Sequence, residues 1–258
     1  MYQWKAWHDS RARVTLYILA ALGSGVLFGL DVLADANFHA YWKELYSASH
    51  RHFFNYDFSM DVPFWMLNWV VRDYGQIAAL LAGLSLGACS VGGEYGAGTM
   101  HFVLTRPEAR RNFVLTDWKV GLPAMVIVVA SLAFPLVPYL SLAHAKGPGN
   151  VLAGLPALWV LGAAVFGLSY LTTLAAGSAA KGLTLSIAAL LTYSFLPTAL
   201  DEWWHSDLLL RATDWTLRAF RNNAWPLTPF EWGPTVFWLA VAAGFLGASL
   251  AWIRYREV

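Results

Sequence analysis

Apolar residues gather along this chain into six long runs, at about 14–34, 74–92, 119–144, 152–176, 183–200 and 235–253. Each approaches the roughly 20 residues that a helix needs to cross a bilayer core. Backbone in hydrocarbon must satisfy its own N–H and C=O groups, so the runs predict helices. Pro123, Pro135 and Pro138 fall in the third run. Bends are expected there, because neighbouring helices can satisfy the carbonyls that proline frees. A Gly and Pro turn over 146–150 precedes the fourth run, and only 177–182 separates the fourth from the fifth. Those two runs predict a tight helical hairpin.

The polar segments predict elements too. Residues 1–13 combine Trp4 and Trp7 with Lys5, Arg11 and Arg13, a mixture suited to an interfacial helix leading into the first span. The run behind it, about twenty residues long, is long for a signal peptide core and lacks a convincing small-x-small cleavage site, so it reads as a retained span. Between the fifth and sixth runs, Asp207 with Arg211 and Asp214 with Arg218 place acid before base at i, i+4 on one helical face. Leu208, Ala212, Trp215 and Ala219 repeat on the adjacent face, with Trp203, Trp204, Trp225 and Trp232 nearby. An amphipathic helix lying at the membrane interface is expected.

Composition sharpens this picture. The 258 residues are 58% hydrophobic and only 13% charged, about half the charged share of a soluble domain. The expected fold class is an all-α integral membrane protein, one transmembrane domain over 1–258 with six transmembrane helices. A net charge of +1 leaves no basic surface for nucleic acid. The one cysteine, Cys89, excludes an intrachain disulfide and an all-cysteine metal site. Ten Lys and Arg residues, Lys5, Arg11, Arg13, Arg106, Arg110, Arg111, Lys119, Lys181, Arg254 and Arg256, fall in the termini and the two loops on their side, against the remaining seven of 17 on the other. The positive-inside rule then puts both termini in the cytoplasm of a multi-pass cell-membrane protein.

The most informative polar stretch is 92–119, between the second and third runs. Gly93, Gly96 and Gly98 are expected to break the helix arriving from the second run. Thr99 suits the N-cap of a short helix from Met100 to Leu104. Thr105 with Glu108 fits a capping box, and Pro107 falls in a first turn where its missing N–H costs nothing. The unit is thus break, short helix, break, helix, on the cytoplasmic side. Arginines alone would satisfy the topology rule, whereas the Gly, Thr, Pro and Glu arrangement around them describes a shaped surface.

Other patterns carry two readings each. Gly83 to Gly87 reads GLSLG, matching the G-x-S-x-G of serine hydrolases around Ser85. That motif needs a strand-to-helix elbow, and inside an apolar helix the same letters read as small-xxx-small packing. His50 and His52 form an H-x-H that suits a solvated loop as well as a metal. Asp31 lies near the far end of the first run, at the interface or in a transport path. No phosphate loop is present; the nearest piece, GSAAKG at 177–182, lacks the terminal K-[ST].

Glu94, Gly98, Thr99, Leu104, Pro107, Arg110 and Arg111 spell E-x-x-x-G-T-x-x-x-x-L-x-x-P-x-x-R-R between spans 2 and 3. With the span count, the interfacial N-terminal helix and short external helices between spans 5 and 6, this resembles the permease subunits of ABC type-2 exporters. The resemblance implies a coupling helix in which Glu94, Gly98, Thr99, Met100, His101, Phe102 and Leu104 contact a separate ATP-binding cassette subunit. It implies that Arg106, Arg110 and Arg111, around Pro107, pair with acidic groups or lipid phosphates. It further implies no cofactor on this chain, ATP and Mg on the partner, and a dimer with a second permease copy among membrane lipids. The expected function is half of a translocation path for a hydrophobic or amphiphilic cargo such as a lipid, drug or peptide. The alternatives are an intramembrane hydrolase using Ser85, and a non-transporting anchor or scaffold.

Overall fold

An apolar run that folds as helix pairs its own backbone groups, and helix is what these runs form. The computed structural model describes residues 2–34, 75–105, 107–133, 148–204, 208–221 and 232–255. In chain order the helices are α1 (Tyr2–Ala34), α2 (Gly75–Gly96), α3 (Met100–Thr105), α4 (Pro107–Ala133), α5 (Pro148–Ala176), α6 (Ala179–Trp204), α7 (Leu208–Arg221) and α8 (Trp232–Tyr255). No strand occurs among the described residues. Five helices, α2, α4, α5, α6 and α8, are long and apolar enough to cross a membrane. The described residues are thus helical apart from short turns, and the length and composition of these five helices suit a membrane protein.

The expected interfacial helix and the first expected span share one continuous helix, α1, of 33 residues. The side chain of Asp31 lies outside the described residues, as do His50, His52, Arg106, Pro135, Pro138, Asp207 and Trp225. The third apolar run begins earlier than expected. Its membrane-compatible stretch is Arg110–Ser131 rather than one opening at Lys119, and Pro123 sits inside α4 without ending it. The physical reason is a one-sided start: Phe113, Val114 and Trp118 are buried, while Asn112 and Lys119 on the same helix stay exposed. A helix can keep its polar face outward over two turns and still bury the other.

At the centre stands α5, with 78% of its apolar window buried against 11% for α6. It packs on α2, α4, α6 and α8. Its closest approach is to α2. A Cβ added at Gly83 would lie 2.7 Å from the backbone oxygen of Gly162, and one at Gly87 would lie 2.5 Å from that of Phe166. Between them Ser169 donates to the Leu84 carbonyl at 2.7 Å. The GLSLG letters therefore sit where two helix backbones nearly touch. Replacing Gly87 by Val is expected to destabilise the fold by about 2 kcal/mol, the usual cost of overpacking, because the obstructing atom is backbone. Thermal denaturation in detergent checks this.

The hairpin between α5 and α6 turns at Gly177, whose φ of +68° is left-handed and whose N–H closes on the Thr173 carbonyl at 3.0 Å. At the other end, α7 meets the bundle through Thr216 and through Trp215, whose ring lies edge-on to Phe237 at 5.9 Å. Thr216 is buried, its carbonyl accepts the Trp238 indole N–H at 2.9 Å, and its hydroxyl shares a hydrogen bond with that of Tyr193. Leu208, Ala212 and Trp215 remain exposed, as a helix lying in an interface requires.

Candidate functional site

The chain between α2 and α3 turns in three residues, Ala97 to Thr99. The Thr99 N–H reaches the Glu94 carbonyl at 3.0 Å and the Gly98 N–H reaches the Tyr95 carbonyl at 3.1 Å. Those are the two bonds of a Schellman ending, and Gly98 at the left-handed position has φ +69°. One glycine makes the break. Gly93 stays inside the helix and Gly96 ends it, because packing outweighs the roughly 1 kcal/mol that a helical glycine costs. Thr99 does not act as the expected forward cap. Its hydroxyl turns back, bonding the Glu94 carbonyl at 3.3 Å and the Glu94 carboxylate.

Glu94 is thereby held from two sides. Its carboxylate also accepts from Lys5 Nζ on α1 at 2.5 Å, and its side chain is only 13% exposed. The residue points into the bundle rather than outward. On α3, Met100, Val103 and Leu104 are buried, while His101 and Thr105 are exposed; the Phe102 side chain lies outside the described residues, as do those of Pro107 and Glu108. A single helical turn thus rests on α4 with its apolar face and offers the other face outward.

Long-range bonds fasten this unit to the rest of the fold. Tyr95 on α2 donates to the Leu174 carbonyl near the end of α5 at 3.0 Å. Arg110 on α4 donates from Nε to the Leu104 carbonyl at 2.7 Å and from a guanidinium nitrogen to the Ile253 carbonyl of α8 at 3.5 Å. It satisfies the last carbonyls of two helices, as cations at helix C-termini do. Arg111, one position on, is exposed. The motif residues Glu94, Gly98, Thr99, Met100, Leu104 and Arg110 are therefore brought together around one turn, joined to α1, α4, α5 and α8.

Behind the turn lies a polar cavity of about 230 Å³ between α1, α2 and α4. Lys5 and Glu94 stand in its lining with Arg13, Cys89, Thr116 and Asp117. Asp117 is 6% exposed, and Tyr170 on α5, fully buried, donates its phenol to it at 3.0 Å. Tyr170 is fixed in turn by Phe166, stacked at 5.9 Å, and by Trp118, edge-on to Phe166 at 5.3 Å. An ionisable side chain inside a membrane-spanning helix is costly and marks function by default.

No family model matches this chain, and no curated protein matches it. The chemistry must be read from the residues. No group of three or more His, Cys, Asp or Glu suited to a metal occurs among the described residues. Ser85 lies in mid-helix, where its hydroxyl shares a 2.6 Å hydrogen bond with Tyr17 and donates to the Ala82 carbonyl at 3.3 Å. Those partners position a packing serine; neither is a general base, and a continuous helix replaces the elbow that a nucleophilic serine needs. Reading the sequence alone misses Asp117, Lys5 and Arg13 as cavity residues and Tyr170 as the buried donor to Asp117. A signal for Asp117 exists, since it shares the i, i+4 face of Phe113 and Gly121 within a stretch able to span.

Proposed function

We propose that this chain is the permease subunit of an ATP-driven ABC exporter, with six spans, both termini cytoplasmic, and a separate ATP-binding subunit docking on α3. The observation that carries the reading is the turn and short helix at 97–105, exposed on one face and bonded to Glu94 of α2 and Arg110 of α4, while Glu94, Tyr95 and Arg110 at its two ends reach α1, α5 and α8. A docked motor that closes must push on something stiff, and a unit tied to four helices passes that displacement into the bundle. Alternating access would follow from α1, α2 and α5 moving together. One chain supplies half of the path, a second copy the other half, and ATP with Mg stays on the partner. The polar cavity around Asp117 suits a cargo with a polar head, and the apolar exterior suits its tail, which favours an amphiphile.

Copurification tests this reading. A cassette ATPase is expected to come down with the affinity-purified chain, and the substitution His101→Glu on the exposed face of α3 is expected to weaken that association about tenfold, equivalent to 1.4 kcal/mol. A chain that retains no ATPase, or an association indifferent to His101 and Thr105 substitutions together, would leave the anchor reading standing instead.

A further inference from the structure

The cavity behind the Glu94 turn is polar at one end and apolar at the other. Lys5 and Glu94 line it at the level of the turn, while Leu86, Val120 and Ala124 line it farther along α2 and α4. Leu86 and Glu94 stand about 12 Å apart along the helix. The volume, about 230 Å³, falls below the roughly 300–1,000 Å³ of pockets that enclose a whole drug-sized ligand. It suits one polar head with the first atoms of an apolar chain.

Charge and hydrogen bonding select the head. Among the described residues, the charged side chains that line the cavity are balanced, Lys5 and Arg13 against Glu94 and Asp117. A zwitterionic head adds no net charge to such a site, and net charge is what a low-dielectric interior penalises. Lys5 goes to Glu94 at 2.5 Å. Asp117 is buried and accepts from Tyr170 at 3.0 Å with one oxygen; its second oxygen takes no bond among the described residues. Buried polar atoms rarely stay unpaired. On the α2 wall, Ser90 gives its proton to the Leu86 carbonyl at 2.8 Å, so what it still offers a ligand is an acceptor. Acceptors on two walls call for a group with several N–H donors, which a primary ammonium has and a quaternary one lacks.

We propose that this cavity binds the primary ammonium of a zwitterionic amphiphile, with Asp117 and Ser90 accepting its N–H bonds and the anionic part of the same head offsetting Lys5 and Arg13. Calling that amphiphile a cargo rests on the exporter reading; binding it needs only this chain.

Cys89 is the one cysteine of the chain and lines the same cavity, so its alkylation reports occupancy. In the full chain purified in detergent, phosphatidylethanolamine at saturation is expected to slow N-ethylmaleimide labelling of Cys89 about tenfold. Phosphatidylcholine, whose quaternary ammonium has no N–H, and phosphatidylglycerol, which has no ammonium, are expected to leave the rate nearly unchanged. Asp117→Asn is expected to lose the protection, with native mass spectrometry showing at least about tenfold weaker retention of phosphatidylethanolamine. Should that variant not fold, the wild-type comparison of phosphatidylethanolamine with phosphatidylcholine decides. Equal protection by those two lipids, or undiminished retention in a folded Asp117→Asn, would overturn the ammonium site. Soluble phosphoethanolamine protecting as well as the lipid would make this a site for a free zwitterion and overturn the amphiphile. The exporter reading fails separately: protection in a chain that brings down no ATPase keeps this site and removes its part in export, whereas a copurifying ATPase with no protection does the reverse.

Discussion

Reversing one charge, Glu94→Lys, is expected to abolish substrate-stimulated ATPase activity in the reconstituted complex, by about tenfold or more, while the fold survives. The Lys5–Glu94 pair spans 89 positions and joins α1 to the last turn of α2. Lys5 is 47% exposed, and such half-solvated pairs contribute about 0–1 kcal/mol to global stability, so the unfolding midpoint should hardly move. The effect is local. Lysine at 94 faces Lys5 and leaves the Thr99 hydroxyl without its carboxylate acceptor, so α1 loses its tether to the unit on which we propose that the ATPase docks. The double exchange Lys5→Glu/Glu94→Lys restores opposite charges, and should recover most of the coupling. That recovery separates two roles for Glu94. As a bond to α1, it is rescued by the exchange; as a direct contact to the ATPase, which the family resemblance implies, it is not. Coupling measured in wild type, Lys5→Glu, Glu94→Lys and the double exchange decides between them, and full activity in Glu94→Lys alone would exclude both.

Much of this arrangement is legible in the sequence because length and apolarity alone determine it. The boundaries of α2, α5 and α8 fall within a few residues of the runs that predict them, since a span cannot be much shorter than the bilayer. Gly83 and Gly87 are legible for a related reason, as small residues one turn apart leave room for a neighbouring backbone. The break is legible as a break, but not its position. Gly93, Gly96 and Gly98 look alike in the sequence, and only the tertiary fit, with Tyr95 reaching Leu174, decides which of them takes the left-handed conformation. Asp117 is concealed by the charges around it. Arg110, Arg111 and Lys119 suggest a loop, and they outweigh the i, i+4 spacing of Phe113, Asp117 and Gly121, the one linear sign that Phe113, Val114 and Trp118 turn inward together and carry the aspartate with them. The Lys5–Glu94 and Tyr170–Asp117 bonds join residues 89 and 53 positions apart, and no short-range pattern encodes such partners. The site is thus legible where one element makes it and hidden where several do.

That division makes the Asp117–Tyr170 bond the strongest test of the cavity. Tyr170→Phe is expected to destabilise the protein by about 1–3 kcal/mol, because it removes the phenol that donates to a buried carboxyl group. The loss of a single oxygen from a well-packed ring leaves almost no void, so packing contributes little to that cost. Asp117→Asn keeps a carbonyl acceptor for the phenol and should cost less. The double variant Asp117→Leu/Tyr170→Phe removes both partners and should lie close to wild type, since a polar pair replaced by apolar groups of similar size is often nearly neutral. A cycle over these variants, read by unfolding in mixed micelles, should show a coupling of about 1 kcal/mol or more. Strictly additive effects would mean that the 3.0 Å contact does not hold the two helices together. Transport assayed on the same proteins adds the functional half: a double variant as stable as wild type but unable to move cargo would place Asp117 in the path, because its stability would show that the aspartate is not needed for the fold.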